Sequence, residues 1–207
     1  MIDQEEYLIS YANLKSNLFN YQNDFLDNQN LHKFYKNQFM GVPICLPKGI
    51  KFFDYSNANY FKIDQSKFSK YIFSTNKIDY IGNKKFFRYG NQFATNVLLK
   101  KKYYKKFKFY LANVEKTRKI ILNLKKKKQR ICSMQIRNAP HFGHEAVFKY
   151  ILNRFDLLIL NPIFGIKKKK DFSDKVITKA LSFIEKKYKK IKFLPIWSSF
   201  HYADRKS

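Results

Sequence analysis

Two kinds of apolar segment alternate between Ile131 and Trp197, and this alternation restricts the fold more than any other feature of the sequence. The segments RICSMQI, LLILN and KFLPIW are short and continuous, which is typical of buried strands. The two segments between them repeat apolar residues with a helical period, and Ser173 is a suitable N-cap for the second. The apolar faces are Val147, Phe148, Ile151, Leu152 and Phe155, then Ile177, Ala180, Leu181, Ile184 and Tyr188. The order strand, helix, strand, helix, strand predicts a parallel α/β sheet, whose ligands bind beyond the carboxyl ends of the strands.

The first 128 residues carry a different pattern. YLISYANLKSNLF predicts a short helix near the N-terminus. From Gly41 onward, the short apolar runs VPICL, KFFDY, NYFKI, SKYIF and NVLLK are separated by Gly, Asn, Asp or Ser, which is typical of short strands and turns. The sequence therefore predicts a mainly β domain over residues 1–128 and an α/β domain over 129–207, joined at the run LKKKK.

The formal net charge of +27, from 42 basic and 15 acidic residues, would normally suggest a polyanion as partner. Lys, Asn, Ile, Phe and Tyr are abundant together, however, which indicates a general compositional bias. The densest basic stretch, 100–130, interleaves lysines with aromatic residues, but no known nucleic-acid module accompanies it. Nucleic acid is therefore disfavoured as a partner.

Cysteine spacing and hydropathy disfavour a zinc site and a membrane-spanning helix. Cys45 and Cys132 lie far apart without the spacing of a zinc site, which favours reduced, structural thiols. No run approaches the roughly 18 apolar residues of a membrane-spanning helix, and the N-terminus MIDQEEYLIS is acidic, unlike a signal peptide. We expect a cytoplasmic protein that does not contact a membrane.

The stretch MQIRNAPHFGHEAVFKYIL, Met134 to Leu152, lies where the first predicted strand gives way to a helix. His144 falls at the start of that helix, where backbone N–H groups and the helix dipole favour an anion such as phosphate. Gly143 would let a phosphate approach the backbone, and Pro140 would stiffen the loop. The stretch therefore predicts an anion site.

The polar residues of this stretch are hydrogen-bond donors. His141 and His144 can direct ring N–H groups at one phosphate, and Arg137 offers a planar fork suited to phosphate or sulfate. A lone pair of histidines three residues apart is more often a packing or surface feature. A zinc site would need a third ligand, and Glu145, the only nearby candidate, does not form an HExxH motif.

The whole stretch resembles a known signature. His-x-Gly-His at a strand-to-helix turn is similar to the phosphate-binding motif of the nucleotidyltransferase superfamily, and QIRNAPHFGHE resembles the Gln-x-Arg-Asn-x-x-His-x-x-His motif of the ATP sulfurylase (sulfate adenylyltransferase) family. LNPIFGIKK is similar to the family's Leu-His-Pro-x-x-Gly-x-x-Lys loop, with Asn161 in place of histidine. LPIWSSFHYADRKS resembles its Pro-x-x-Met-x-Tyr-Ala-Gly-Pro segment, with Asp204 and Arg205 where Gly-Pro is expected. Residues 71–93 and QFMGVPICLP weakly resemble its N-terminal PUA-like domain.

The resemblance implies a PUA-like mainly β domain followed by a Rossmann-like nucleotidyltransferase sheet, incomplete because the family continues to a further Gly-Arg-Asp-His-Ala-Gly loop. It implies transfer of the adenylyl group of ATP to sulfate, with Mg²⁺ on the triphosphate. The implied catalytic residues are Asn138, His141 and His144. The implied substrate-binding residues are Gln135, Arg137, Gly143, His201, Tyr202 and Ala203, with no metal ligand. His32 lies in the polar stretch NLHKFYKN, so we expect it on the surface and not in the site.

Two alternatives stay open on the sequence. The acceptor could be another oxyanion, such as a phosphate or a carboxylic acid, attacking a nucleoside triphosphate. Alternatively, the chain could be a non-catalytic basic protein that binds nucleic acid on a degenerate scaffold. Homo-oligomerisation is also left open.

Overall fold

A computed structural model describes residues 4–18, 22–164 and 172–197. The described residues form two compact units, divided between Leu111 and Ala112 within one long helix. The domain limits expected from the sequence, 1–128 and 129–207, stay a prediction. In the described ranges no helix combines the length and apolar character needed to cross a membrane.

Before the long helix, the described part of the first unit contains four helices and five short strands. The helices are α1 (Glu5–Lys15), α2 (Asn28–Tyr35), α3 (Gln65–Phe73) and α4 (Ile81–Phe87). The strands are β1 (Leu46–Pro47), β2 (Phe53–Asp54), β3 (Asn59–Lys62), β4 (Gln92–Thr95) and β5 (Leu98–Leu99). β4 pairs antiparallel with β1 and β3, and β2 pairs with β5. A 3₁₀ turn, Lys101–Tyr103, then leads into α5 (Tyr104–Lys126).

The first unit is mixed rather than mainly β, because its helices have 7 to 11 residues and its strands only 2 to 4. The PUA-like assignment is not confirmed. The run SKYIF, predicted as a strand, belongs to α3: Asp64 caps this helix by accepting from the Lys67 N–H at 3.0 Å. Phe68 and Ile72, four residues apart, both pack on the same core cluster, so the helical period decides the structure.

Buried aromatic and aliphatic side chains fill the first unit. Leu26, Leu31, Cys45, Ile63, Phe68 and Phe93 form one such cluster. Burial raises the pKa of the Cys45 thiol, which keeps it protonated and unreactive. Cys45 thus behaves as the structural thiol that the sequence predicts.

The second unit is built on a parallel sheet. Its elements after α5 are β6 (Ile131–Ile136), α6 (Phe142–Leu152), β7 (Leu157–Phe164), α7 (Asp174–Lys187), β8 (Ile191–Phe193) and β9 (Ile196–Trp197). β7 lies in the middle and pairs parallel with β6 on one side and with β8 and β9 on the other. The predicted parallel α/β sheet is confirmed, and Ser173 caps α7 by accepting from the Val176 N–H.

Alternating side chains of the strands cover two faces of this sheet. On one face, Leu158 and Leu160 pack with Phe148 of α6 and with the α7 residues Ile177 and Leu181. The α7 positions are those that the helical period predicts. On the other face, Leu157, Ile159 and Leu194 pack against the C-terminal half of α5 through Ile120, Ile121 and Leu124.

Pro195 interrupts the third strand, opposite a second proline in β7. KFLPIW, predicted as one strand, forms β8 and β9 in a single register, because Leu158 pairs with Ile191 and Ile163 with Ile196, the same offset of 33 residues. This offset sets Pro195 opposite Pro162, and neither residue has an N–H group. The Leu194 N–H donates to the Leu160 carbonyl at 3.0 Å, but the residue that would donate back to the Leu194 carbonyl is Pro162.

The side chain of Asn161 replaces the missing donor. Its Nδ2 donates to the Leu194 carbonyl at 3.1 Å, and its Oδ1 accepts from the Ser133 hydroxyl on β6. Asn161 is buried, and its two hydrogen bonds join all three strands. β7 therefore continues through Pro162 to Phe164 instead of ending at Asn161.

Candidate active site

The motif residues lie at the carboxyl end of β6. Ile136 is buried and anchors the end of the strand, while Gln135 beside it is exposed and pairs in register with Asn161. Arg137 is half-buried and Asn138 is exposed, both in the irregular segment that leads to α6. The Gln-x-Arg-Asn donors thus lie together at the carboxyl end of β6, where sheets of this kind bind their ligands.

The two histidines cap the N-terminus of α6 reciprocally. His141 is the N-cap residue, with φ −127° and ψ 179°, and its Nδ1 accepts from the Gly143 N–H at 3.1 Å. His144, in the first turn as predicted, accepts at its own Nδ1 from the His141 N–H at 3.4 Å. This arrangement is a capping box in which imidazole nitrogens take the usual place of hydroxyl and carboxylate oxygens.

The cap determines which nitrogen of each neutral ring carries the proton. Because both Nδ1 atoms accept hydrogen bonds from backbone N–H groups, the proton of each neutral ring lies on Nε2. The ring centroids of His141 and His144 are 4.1 Å apart, at an interplanar angle of 66°. The pair therefore presents two neighbouring Nε2–H donors on the sides of the rings that do not cap the helix.

His144 is held in its neutral form. Burial lowers its pKa below the ordinary value, and repulsion from His141 adds to the effect. Protonation would place a hydrogen on the Nδ1 that faces the His141 N–H, so it would also break the cap. At neutral pH His144 is thus a neutral donor.

Gly143 leaves room for the folded-back His141 ring. A Cβ at position 143 would lie 3.1 Å from Cε1 and 3.2 Å from Nδ1 of His141, closer than ordinary van der Waals contact. On the sequence alone, Gly143 is explained by the close approach of a phosphate to the backbone. The structure adds a second reason, which is the space that the His141 ring needs in order to cap α6.

Glu145, the one carboxylate of the motif, is engaged by α7. Its carboxylate accepts from Lys187 Nζ at 2.5 Å and from the Tyr188 hydroxyl. The hydrogen bond from Lys187, and then that from Tyr188, lowers the pKa of Glu145. Sequence reasoning missed this contact, because its partners lie 42 and 43 residues away. In the described part of the chain no group of three His, Cys, Asp or Glu side chains could hold a metal ion.

The structure does not place every residue that the sequence predicts for the site. His201, Tyr202 and Ala203 fall outside the described residues, as do Gly165 and the positions 204 and 205. His32 is exposed on α2 in the first unit, with its Nδ1 2.7 Å from the Asn28 carbonyl oxygen. Asn161, noted in the sequence only as a replacement for histidine, bridges the strands as described above.

Comparison with known proteins supports the motif. A family model described as ATP-sulfurylase matches residues 108–205. A sulfate adenylyltransferase from Thermococcus onnurineus is 54% identical over 50 residues, which are 24% of this chain and 13% of the relative. Those from Pyrococcus abyssi and Ignicoccus hospitalis are 43% identical over 58 residues and 50% identical over 52 residues. These matches cover 28% and 25% of this chain, and 15% and 14% of the relatives.

The matched stretches thus span about one seventh of the length of these relatives. The match of 108–205 includes the whole β6–α6 turn, with its Gln-x-Arg-Asn donors and capped histidines. Residues 108–205 of this chain are thus similar to the ATP-sulfurylase family.

Proposed function

We propose that the chain performs adenylyl transfer, in which ATP and sulfate give adenylyl sulfate and pyrophosphate. The observation that supports this most is the reciprocal histidine cap, which leaves two Nε2–H donors beside the Gln-x-Arg-Asn segment. The proposal includes a cytoplasmic location, a PUA-like domain over 1–128 and a Rossmann-like nucleotidyltransferase domain over 129–207.

The reaction needs donors and no general base. A sulfate oxygen, already an anion, attacks the α-phosphorus of ATP in line, and the bond from that phosphorus to the β-phosphate oxygen breaks. Pyrophosphate leaves as an anion, so no protein group has to accept or supply a proton. The protein must hold two anions that repel each other and stabilise the charge on the phosphoryl oxygens.

Each donor of the site then has a role. Gln135 and Arg137 hold sulfate, with the planar guanidinium of Arg137 matching two sulfate oxygens. Asn138, His141 and His144 donate to the ATP phosphates, and the N-terminal end of α6 adds its positive dipole. A well-placed donor of this kind contributes roughly 3 kcal/mol to transition-state stabilisation.

The proposal extends to further residues predicted from the sequence. Gly143 lets the substrate approach the backbone, and His201, Tyr202 and Ala203 contact substrate. Mg²⁺ enters on the triphosphate as part of the substrate, and we assign it no protein ligand.

Turnover with a series of acceptors tests this proposal. Pyrophosphate release from MgATP is measured with sulfate, molybdate, phosphate and carboxylic acids, on this chain and on any longer natural form. Sulfate-dependent release is expected, whereas release only with another acceptor would replace sulfate in the proposal. If the longest natural form shows no turnover with any oxyanion, the proposal that the protein is an adenylyl-transferring enzyme fails.

Arginine substitutions connect the activity to the site. Arg137→Lys keeps the charge but loses the bidentate fork, so turnover should fall about 10- to 100-fold, nearly as far as in Arg137→Ala. The matched control is Arg154→Lys, an exposed arginine just after α6, which should leave turnover unchanged. An Arg137→Lys protein with wild-type turnover would show that no oxyanion is gripped there.

A further inference from the structure

The amino ends of the three strands bring basic residues together, away from the site at the carboxyl ends. The residues just before β6, β7 and β8 are Arg130, Asp156 and Lys190. The Asp156 N–H donates to the Arg130 carbonyl at 2.8 Å, and the Leu158 N–H donates to the Lys190 carbonyl at 2.9 Å. The chain segments that precede β6, β7 and β8 therefore lie side by side, and neighbouring segments are about 4.8 Å apart, the usual distance between strands.

We call this surface the basic edge, and it consists of eight exposed cations: Lys125, Lys126, Lys127, Lys128, Arg130, Arg154, Lys189 and Lys190. One carboxylate, Asp156, lies among them and pairs with Arg130 at 3.3 Å. Elsewhere in the described second unit, ten cations accompany four carboxylates, and Lys187 and Lys192 form ion pairs with two of these. Basic residues are thus concentrated at the basic edge beyond the lysine-rich composition of the chain.

Helix dipoles explain only part of this concentration. Lys125 and Lys126 lie in the last turn of α5, where a cation is favoured. Arg154, just beyond α6, likewise donates from its guanidinium to the Tyr150 carbonyl at 3.3 Å. The dipole effect falls off within about one turn of a helix end, so it adds little at Arg130 and Lys190, and the mutual repulsion of the eight cations is only partly compensated.

We propose that the basic edge binds the phosphate backbone of a single-stranded nucleic acid. Every exposed residue in 125–130, 153–156 and 189–190 is polar or charged, which fits a hydrophilic polyanion better than a bilayer. The Arg154 guanidinium lies 3.7 Å from the centre of the exposed Tyr150 ring, and such a stacked pair offers a platform for an unpaired base. This binding does not depend on the adenylyl transfer proposed above.

Fluorescence anisotropy with a labelled single-stranded RNA of about 20 nucleotides, over a series of salt concentrations, tests the proposal. The double variant Lys127→Gln, Lys190→Gln removes two cations of the basic edge outside any helix. With a slope of about −0.7 per phosphate contact, the salt dependence should fall by about 1.4 and the affinity at ~0.1 M salt by about 25-fold. The matched control, Lys116→Gln with Lys119→Gln, removes two exposed lysines from the middle of α5 and should leave both values unchanged.

Three results would overturn the proposal. Equal losses in the two double variants would mean diffuse charge attraction. Displacement of the RNA by saturating MgATP would place it at the carboxyl-end site, since the basic edge does not need that site empty. Binding to vesicles of anionic lipid without binding to RNA would identify a membrane surface as the partner. Circular dichroism of each variant checks that the fold is retained.

Discussion

Replacement of Asn161 by alanine should destabilise the second unit, because no backbone group can take over its hydrogen bond to Leu194. The carbonyl of Leu194, a residue only 7% exposed, would be left without a donor, which costs about 1–3 kcal/mol. The bond from the exposed Ser133 hydroxyl adds about 0.5–1 kcal/mol, since water can replace that partner. We therefore expect Asn161→Ala to lower the free energy of unfolding by about 1.5–4 kcal/mol.

Trp197, the single tryptophan, provides the measurement. It lies in β9, and its ring packs against Phe164 with centroids 5.6 Å apart, so its fluorescence reports unfolding of this unit. Urea unfolding should show a lower midpoint with an unchanged slope for Asn161→Ala. Asn153→Ala, at an exposed asparagine in the same unit, is the control and should change stability by less than about 0.5 kcal/mol. If Asn161→Ala stays within that same range, the Leu194 carbonyl has another partner and the reasoning fails.

Further predictions concern the cap of α6. Gly143→Ala should displace the His141 ring but change stability little, because the helix gains about 1 kcal/mol from alanine while the lost cap costs a similar amount. The ¹⁵N NMR spectrum should then show that His141 has lost its fixed Nε2–H tautomer. An unchanged tautomer would contradict the packing argument. Because the folded-state pKa of His144 lies below its ordinary value of about 6.5, its contribution to stability is present above that pH and is lost as the pH falls through the lowered pKa. This acid-induced loss should be smaller in His144→Gln, which can cap without titrating, and equal losses would show that another group is responsible. Glu145→Gln should weaken the hydrogen bonds with Lys187 and Tyr188 and destabilise the fold in urea unfolding. Because the pKa of Glu145 is lowered, the destabilisation caused by this substitution should shrink as the pH falls below about 4. A pH-independent effect would mean that the carboxylate charge contributes nothing.

The sequence predicts the second unit well because each of its elements carries a strong local signal. The period of Ile177, Leu181 and Ile184 together with the Ser173 cap defines α7 without reference to the rest of the chain. SKYIF in the first unit is too short for period alone to separate strand from helix, and the deciding cap, Asp64, precedes the run.

Some features of the candidate site also follow from the sequence, and others do not. The place of His144 in the first turn of α6 follows from the strand-to-helix pattern. The fixed tautomers do not follow from it, because they depend on the side-chain rotamers of two neighbouring imidazoles. The contact of Glu145 with α7 depends on how two helices pack on the sheet, which residue spacing does not encode.

The facing prolines of β7 and the third strand make position 161 depend on position 162 in evolution. As long as Pro162 cannot donate to the Leu194 carbonyl, residue 161 must carry a side-chain N–H. Asparagine has one, and so does the histidine of the family's Leu-His-Pro pattern. A lineage that replaced Pro162 by a residue with a backbone N–H would release position 161 to drift, whereas the opposite order of substitutions would pass through a destabilised intermediate.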